Sequence, residues 1–157
     1  MKKSSAILAS VINECNKHVQ RMNSAYKKIE PSLPITSEKV FKLDEWEVEH
    51  IDQYIFRFSK LQDAIGNKLF KSVLTELGEE VSNRSAIDIF NRMEQLGIIS
   101  DYDLWKEFRD IRNELAHDYE EDGHEAAEKI NLIISKKPEL EKYLTNIVNY
   151  LNTKKLT

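Results

Sequence analysis

Residues 112–119 read Arg-Asn-Glu-Leu-Ala-His-Asp-Tyr, which sets an arginine, a histidine and a tyrosine within eight positions. Arg112 supplies a permanent planar cation whose fork of N–H donors suits phosphate oxygens. His117 supplies the one side chain whose unperturbed pKa allows proton transfer in both directions near neutral pH. Asn113, directly after the arginine, has the donors and acceptor to orient an imidazole or a phosphate. These groups form a minimal kit for phosphodiester chemistry, and no other stretch offers a comparable one.

Hydrophobic periodicity identifies the element that must hold them. Leu104, Phe108, Ile111 and Leu115 recur at three- and four-residue intervals, one stripe of an amphipathic helix capped at Ser100 or Asp101. The motif falls on its last turns, and Glu120, Glu121, Asp122 and Gly123 break it. The rest of the chain is also helical in pattern. Ile7, Leu8, Val11, Ile12, Cys15, Val19, Met22 and Tyr26 form one stripe over residues 4 to about 29. Pro31 and Pro34 close that helix and open a connector near residues 30–43. Asp44 caps a long second helix carrying Ile51, Ile55, Phe58, Ile65, Leu69, Val73 and Leu77. Within it Gly66 marks a kink or a close helix crossing, and Gly78 is its stop. A shorter helix from about Ser85 to Leu96 turns Ile87, Phe90 and Met93 inward. A fifth carries Ala126, Ile130, Ile133 and Ile134, and Pro138 opens a final one. The expected architecture is all-α, an up-and-down bundle of five or six helices in a single domain over residues 1–157.

On a regular helix Arg112 and Tyr119 share nearly one face, and Asn113 and His117 share the next. Arg112 and His117, five apart, point away from each other. Either the helix unwinds near His117, or a symmetric dimer brings two protomers' sites into one cleft. The helix C-terminus and the neighbouring Asp118, Glu120 and Glu121 favour the imidazolium, so His117 is expected to serve mainly as an acid.

Composition sets the frame. The chain has 157 residues, 32% charged and 41% hydrophobic, with four glycines and three prolines, which favours long helices over a turn-rich β fold. A lone Cys15 excludes an intrachain disulfide and suits a reducing compartment; it reads as a core filler. With neither an apolar signal core nor a bilayer-spanning stretch, the expected location is cytoplasmic, away from membranes. Net charge is −4, split into +5 over residues 1–43, −5 over 44–83 and −4 over 84–157. Such a bipolar chain suits RNA on one side and a basic partner on the other, although ordinary solvated helix faces look the same.

The motif Arg112-x4-His117-x-Tyr119, with Asn113 after the arginine, resembles the signature of HEPN-domain toxins. These are the HepT-like partners of minimal nucleotidyltransferase antitoxins in bacterial and archaeal toxin–antitoxin pairs. Residues 52–70 (DQYIFRFSKLQDAIGNKLF) are similar to the long second helix of that family, and the order of elements fits over roughly residues 1–152. The resemblance implies a homodimer with the active site at its interface. It implies an endoribonuclease of a type VII-like system, needing neither metal nor cofactor, in which Arg112, His117 and Asn113 are catalytic. It further implies that the antitoxin attaches AMP to Tyr119 and so silences the toxin. Polar groups of the second helix lie near the cleft in this family, which makes Asp63 an auxiliary candidate. The alternative is a non-catalytic binding partner or substrate-binding subunit of the nucleotidyltransferase.

Simpler readings stand beside these. Arg112 could pair with Glu107 or with Asp110 of a neighbouring protomer, and Tyr119 could close the helix end over the core. His18, His50 and His124 lack ligand-like spacing, and Glu47-x-x-His50 reads as a solvated first turn, so no metal site is expected. Trp46, Trp105 and the phenylalanines fall on core stripes and read as packing, not as base-stacking platforms. No glycine-rich phosphate loop is present.

Overall fold

An apolar stripe needs a partner surface, and the two longest stripes find each other. α1 (Lys3–Ile29) buries Leu8, Val11, Cys15, Met22, Ala25 and Ile29. α3 (Glu45–Ala64) buries Ile51, Tyr54, Phe58 and Leu61. Polar links along the seam fix the direction. Ser5 donates to Glu76, Lys68 reaches Glu14 at 2.9 Å, and Arg57 meets His18 at 3.1 Å, so the two run antiparallel. The computed structural model describes residues 2–115 and 123–154, and all of its regular elements in that range are helical, without strands.

Between these helices the connector holds a 3-10 turn (Glu30–Ser32), a cis Leu33–Pro34 bond and the short α2 (Ser37–Val40). Asp44 starts α3 through a full capping box: it accepts the Glu47 N–H at 2.7 Å while Glu47 accepts the Asp44 N–H. The helix does not stop at Gly66. It passes through a π-helical segment (Ile65–Leu69) into α4 (Phe70–Glu76), so the interruption is a widened turn inside one long rod. The glycine is also a close crossing, since a Cβ there would lie 3.0 Å from Trp105 Cζ2.

Ser85 caps α5 (Ala86–Gln95), and Asp101, not Ser100, caps α6 (Tyr102–Leu115) by accepting the Leu104 N–H at 3.1 Å. α7 (Gly123–Ser135) and α8 (Lys137–Thr153) complete the bundle, with Pro138 in the first turn of α8. Hydrogen bonds tie the layers: Tyr54 donates to Ile133 O at 2.9 Å in the core, and a half-buried bond from the Tyr143 hydroxyl reaches Ser100 O at 2.7 Å. The Asn131 amide exchanges two bonds with the backbone of Ile35, docking the connector on α7. The buried apolar side chains form one contiguous cluster, in which Cys15 is fully enclosed and its thiol is pushed up to about 12 by burial. Among the described residues no helix is long and apolar enough to cross a membrane.

Several side chains expected in the core lie outside it. Ile87 is 47% exposed, because the buried stripe of α5 is Ile89, Phe90 and Met93 and Ile87 lines an open cleft instead. Ile7 is half exposed one residue before the buried Leu8. Trp46, in the first turn of α3, stacks on His50 instead of entering the core. Phe41 and Phe56 are likewise exposed, Phe56 under the cations of Arg57 and Lys60.

Candidate active site

The position of Arg112 follows from how α6 crosses α3. Trp105 packs over Gly66, its carbonyl accepts from Gln62 Nε2 at 3.4 Å, and Phe108 meets Phe58 edge-on with centroids 5.8 Å apart. Further rings hold Trp105 in place: Phe70 at 5.2 Å and Tyr143 at 5.1 Å between centroids. Two turns beyond this crossing, Arg112 lies over the α3 segment that carries Ser59 and Asp63. Its Nη1 donates to Asp63 Oδ1 at 2.6 Å and to Ser59 O at 3.0 Å. The arginine side chain is 20% exposed and the aspartate 45%, so the pair sits at the surface of the groove between the helices.

The Arg112 partner is therefore Asp63, forty-nine residues away, and not Glu107, which bonds Lys136 on the far flank at 3.5 Å. A motif residue and a polar group of the second-helix run have come together. Asn113 is exposed on the neighbouring face of α6. Glu114 reaches Lys129 of α7 at 3.7 Å, which ties down the end of the helix. His117 and Tyr119 lie outside the described residues, as does the acidic run 120–122.

Arg112 and Asp63 border an open cleft of about 380 Å³ between α3, the π segment, α5 and α6. Arg109, one turn before Arg112, lies on the same rim, and Gln62, Asn67 and Ser85 add neutral polar groups. The walls are aromatic, with Trp105 and Tyr102 on one side and Ile87 at the mouth. Sequence reading missed Ser59, Gln62 and Arg109. For Arg109 a signal was available, since i and i+3 share a helix face. For the other two there was none, because their role depends on the crossing of two helices distant in sequence.

A second polar chain runs between α1 and α3. His18 accepts from Arg57 through Nδ1 and faces Glu14 with Nε2 at 3.4 Å. Burial holds this imidazole below its ordinary value, only partly offset by Glu14, so it stays neutral and joins two charged groups. Both ring nitrogens are engaged, which makes this a structural link. Among the described residues no three His, Cys, Asp or Glu side chains gather as a metal-binding group.

Chemically, Arg112 and Arg109 place two cations beside a cleft walled in part by rings. Asp63 holds one of them through a charge-assisted hydrogen bond. No family model, no curated protein and no solved structure matches the chain.

Proposed function

We propose that this chain is a metal-independent endoribonuclease, the toxin of a type VII-like pair whose antitoxin is a minimal nucleotidyltransferase. The supporting observation is the meeting of Arg112 with Asp63 at the lip of an open cleft, immediately before His117 in the chain. In this reading a ribose 2′-oxygen attacks the adjacent phosphorus and the bond from phosphorus to the 5′-oxygen breaks. The products are a 2′,3′-cyclic phosphate and a 5′-hydroxyl. Arg112 stabilises the charge gathering on the non-bridging oxygens. The His117 imidazolium protonates the departing 5′-oxygen, the 2′-hydroxyl proton passes to water, and the imidazole regains a proton from solvent. Asn113 orients the histidine or the phosphate. A symmetric dimer supplies the approach of Arg112 and His117 that one regular helix denies. AMP attached to Tyr119 places a second phosphate beside Arg112 and repels RNA.

The test is growth arrest on expression of the chain alone, with Arg112→Ala and His117→Ala each abolishing it while keeping the helical fold. Mutants as toxic as the parent would defeat the mechanism. Intact mass with and without the neighbouring gene co-expressed reads the regulation: added AMP units, lost in Tyr119→Phe, support it. One observation favours a second reading, a non-catalytic partner of the nucleotidyltransferase. Asp63 already neutralises part of the Arg112 charge, and residues 120–122 add three acids next to the motif. That reading predicts AMP transfer or complex formation without growth arrest.

A further inference from the structure

We infer that the cleft between α3, α5 and α6 is a nucleotide subsite. It takes one base of a single-stranded RNA against Trp105, Tyr102 and Ile87, with the adjoining phosphate on Arg109 and Arg112. The inference rests on the RNA-directed reading of the site and gives that reading a place for a base.

Three features point to this occupant. The wall is rigid and aromatic: Trp105 is held edge-on or tilted among Phe70, Phe90, Phe108 and Tyr143, so its position is set before any ligand arrives. The mouth is apolar yet uncovered, with Ile87 47% exposed in the first turn of α5. The charged side chains on the lining are two arginines and one aspartate, and the aspartate is already paired, so the rim favours an anion. A cleft walled in part by rings with guanidinium groups on its rim matches a nucleotide, flat ring and phosphate together. The cleft volume of about 380 Å³ lies in the range of small-ligand sites, which suits one splayed base and excludes a stacked duplex.

Gln62 adds a polar reader. It is 4% exposed on the cleft wall, and its Oε1 is buried without a hydrogen-bond partner, while Nε2 holds Trp105 O at a long 3.4 Å. A buried carbonyl without a donor is costly to keep. Turning the amide toward the cleft gives up only the long bond, and a base N–H then satisfies the oxygen.

The chain has two tryptophans, and Trp46 stacks on His50 at the far end of α3, so Trp46→Phe leaves Trp105 as the only indole reporter. A 2′-O-methyl oligoribonucleotide has no free 2′-hydroxyl and binds without being cleaved. Titrated into the Trp46→Phe protein, it should quench Trp105 saturably. Ile87→Glu and Arg109→Ala, both at exposed positions, should each weaken binding roughly tenfold with unchanged circular dichroism. No response at Trp105, or equal affinity in both variants, overturns the subsite. AMP alone binding as tightly as the strand overturns the assignment to RNA and makes the cleft a mononucleotide site. Failures of the two readings separate. Binding without cleavage or toxicity removes the enzyme and keeps the subsite, whereas cleavage with unaltered KM in both variants removes the subsite and keeps the enzyme.

Discussion

The Arg112–Asp63 pair is the joint on which the site depends, and its strength can be worked out before it is measured. Unit charges about 4 Å apart attract by about 1 kcal/mol in water and about 4 kcal/mol at an effective dielectric of 20. With Asp63 45% exposed and Arg112 20% exposed, solvent reaches the pair and screens it. Ordering two flexible side chains removes part of what remains, which leaves a net value of about 1 kcal/mol, at the upper end for exposed pairs. Asp63→Asn keeps the shape and an acceptor oxygen, and Nη1 keeps its bond to Ser59 O. The expected cost is therefore about 1 kcal/mol, or about 2–4 °C in Tm for a chain of this length. A cycle of Asp63→Asn, Arg112→Gln and the double variant, followed by urea unfolding, isolates the pair. Coupling of about 0.5–1 kcal/mol is the expected result. Coupling near zero would mean that the two side chains do not meet in solution. Coupling above about 3 kcal/mol would mean that the pair is desolvated, as buried pairs are, and that the exposure argument is wrong.

Two further outcomes follow from the packing. Gly66→Ala should destabilise by about 1 kcal/mol in urea unfolding, because a Cβ 3.0 Å from a Trp105 ring wedged among other aromatics costs about 1–3 kcal/mol, more than the roughly 1 kcal/mol alanine gains in a helix; a more stable variant would show that the ring gives way. His18 has its pKa lowered by burial, so its share of stability is full above the ordinary imidazole value near 6.5 and is lost as pH falls below it; His18→Gln should therefore lose less stability than the parent between about pH 7 and pH 5, and parallel pH–Tm curves would refute the assignment.

Local signals carried the helices into view and long-range contacts carried the site. Asp44 with Glu47, Ser85, Gly78 and Pro138 each mark a boundary through chemistry confined to one turn, and each boundary is where the spacing placed it. The π segment was not legible, since Gly66 alone does not distinguish a kink, a crossing and a widened turn. Ile87, Ile7 and Trp46 were misread for a shared reason. Periodicity says which face a residue lies on, but near a helix end it cannot say whether a neighbouring element extends far enough to cover that face. The Arg112–Asp63 pair was half visible. Both residues had been singled out, on different grounds, yet their contact depends on the angle at which Trp105 crosses Gly66, and no local pattern encodes that angle. His117 and Tyr119, the other half of the motif, lie outside the described residues.

The contrast between the body of α6 and its end bears on how such a site can work. The helix is held on two sides: the ring cluster around Trp105 packs one face on α3, and Lys136 on Glu107 with Lys129 on Glu114 hold a second. Cation placement at the end of a helix so held needs no ligand to induce it, and preorganised charge is what stabilises a phosphoryl transition state most effectively. The cation itself is held by a surface pair worth about 1 kcal/mol and by its bond to Ser59 O. A phosphate arriving on the same guanidinium offers charge-assisted bonds at least as strong as those to the carboxylate. Exchanging one anion for the other is then nearly free, and Asp63 keeps Arg112 aimed until the exchange happens. A deeply buried partner would have aimed the arginine as well and then refused to release it. A weak pair on a rigid helix is the combination that the proposed transient phosphate contact requires, and such a pair lies at the lip of this cleft.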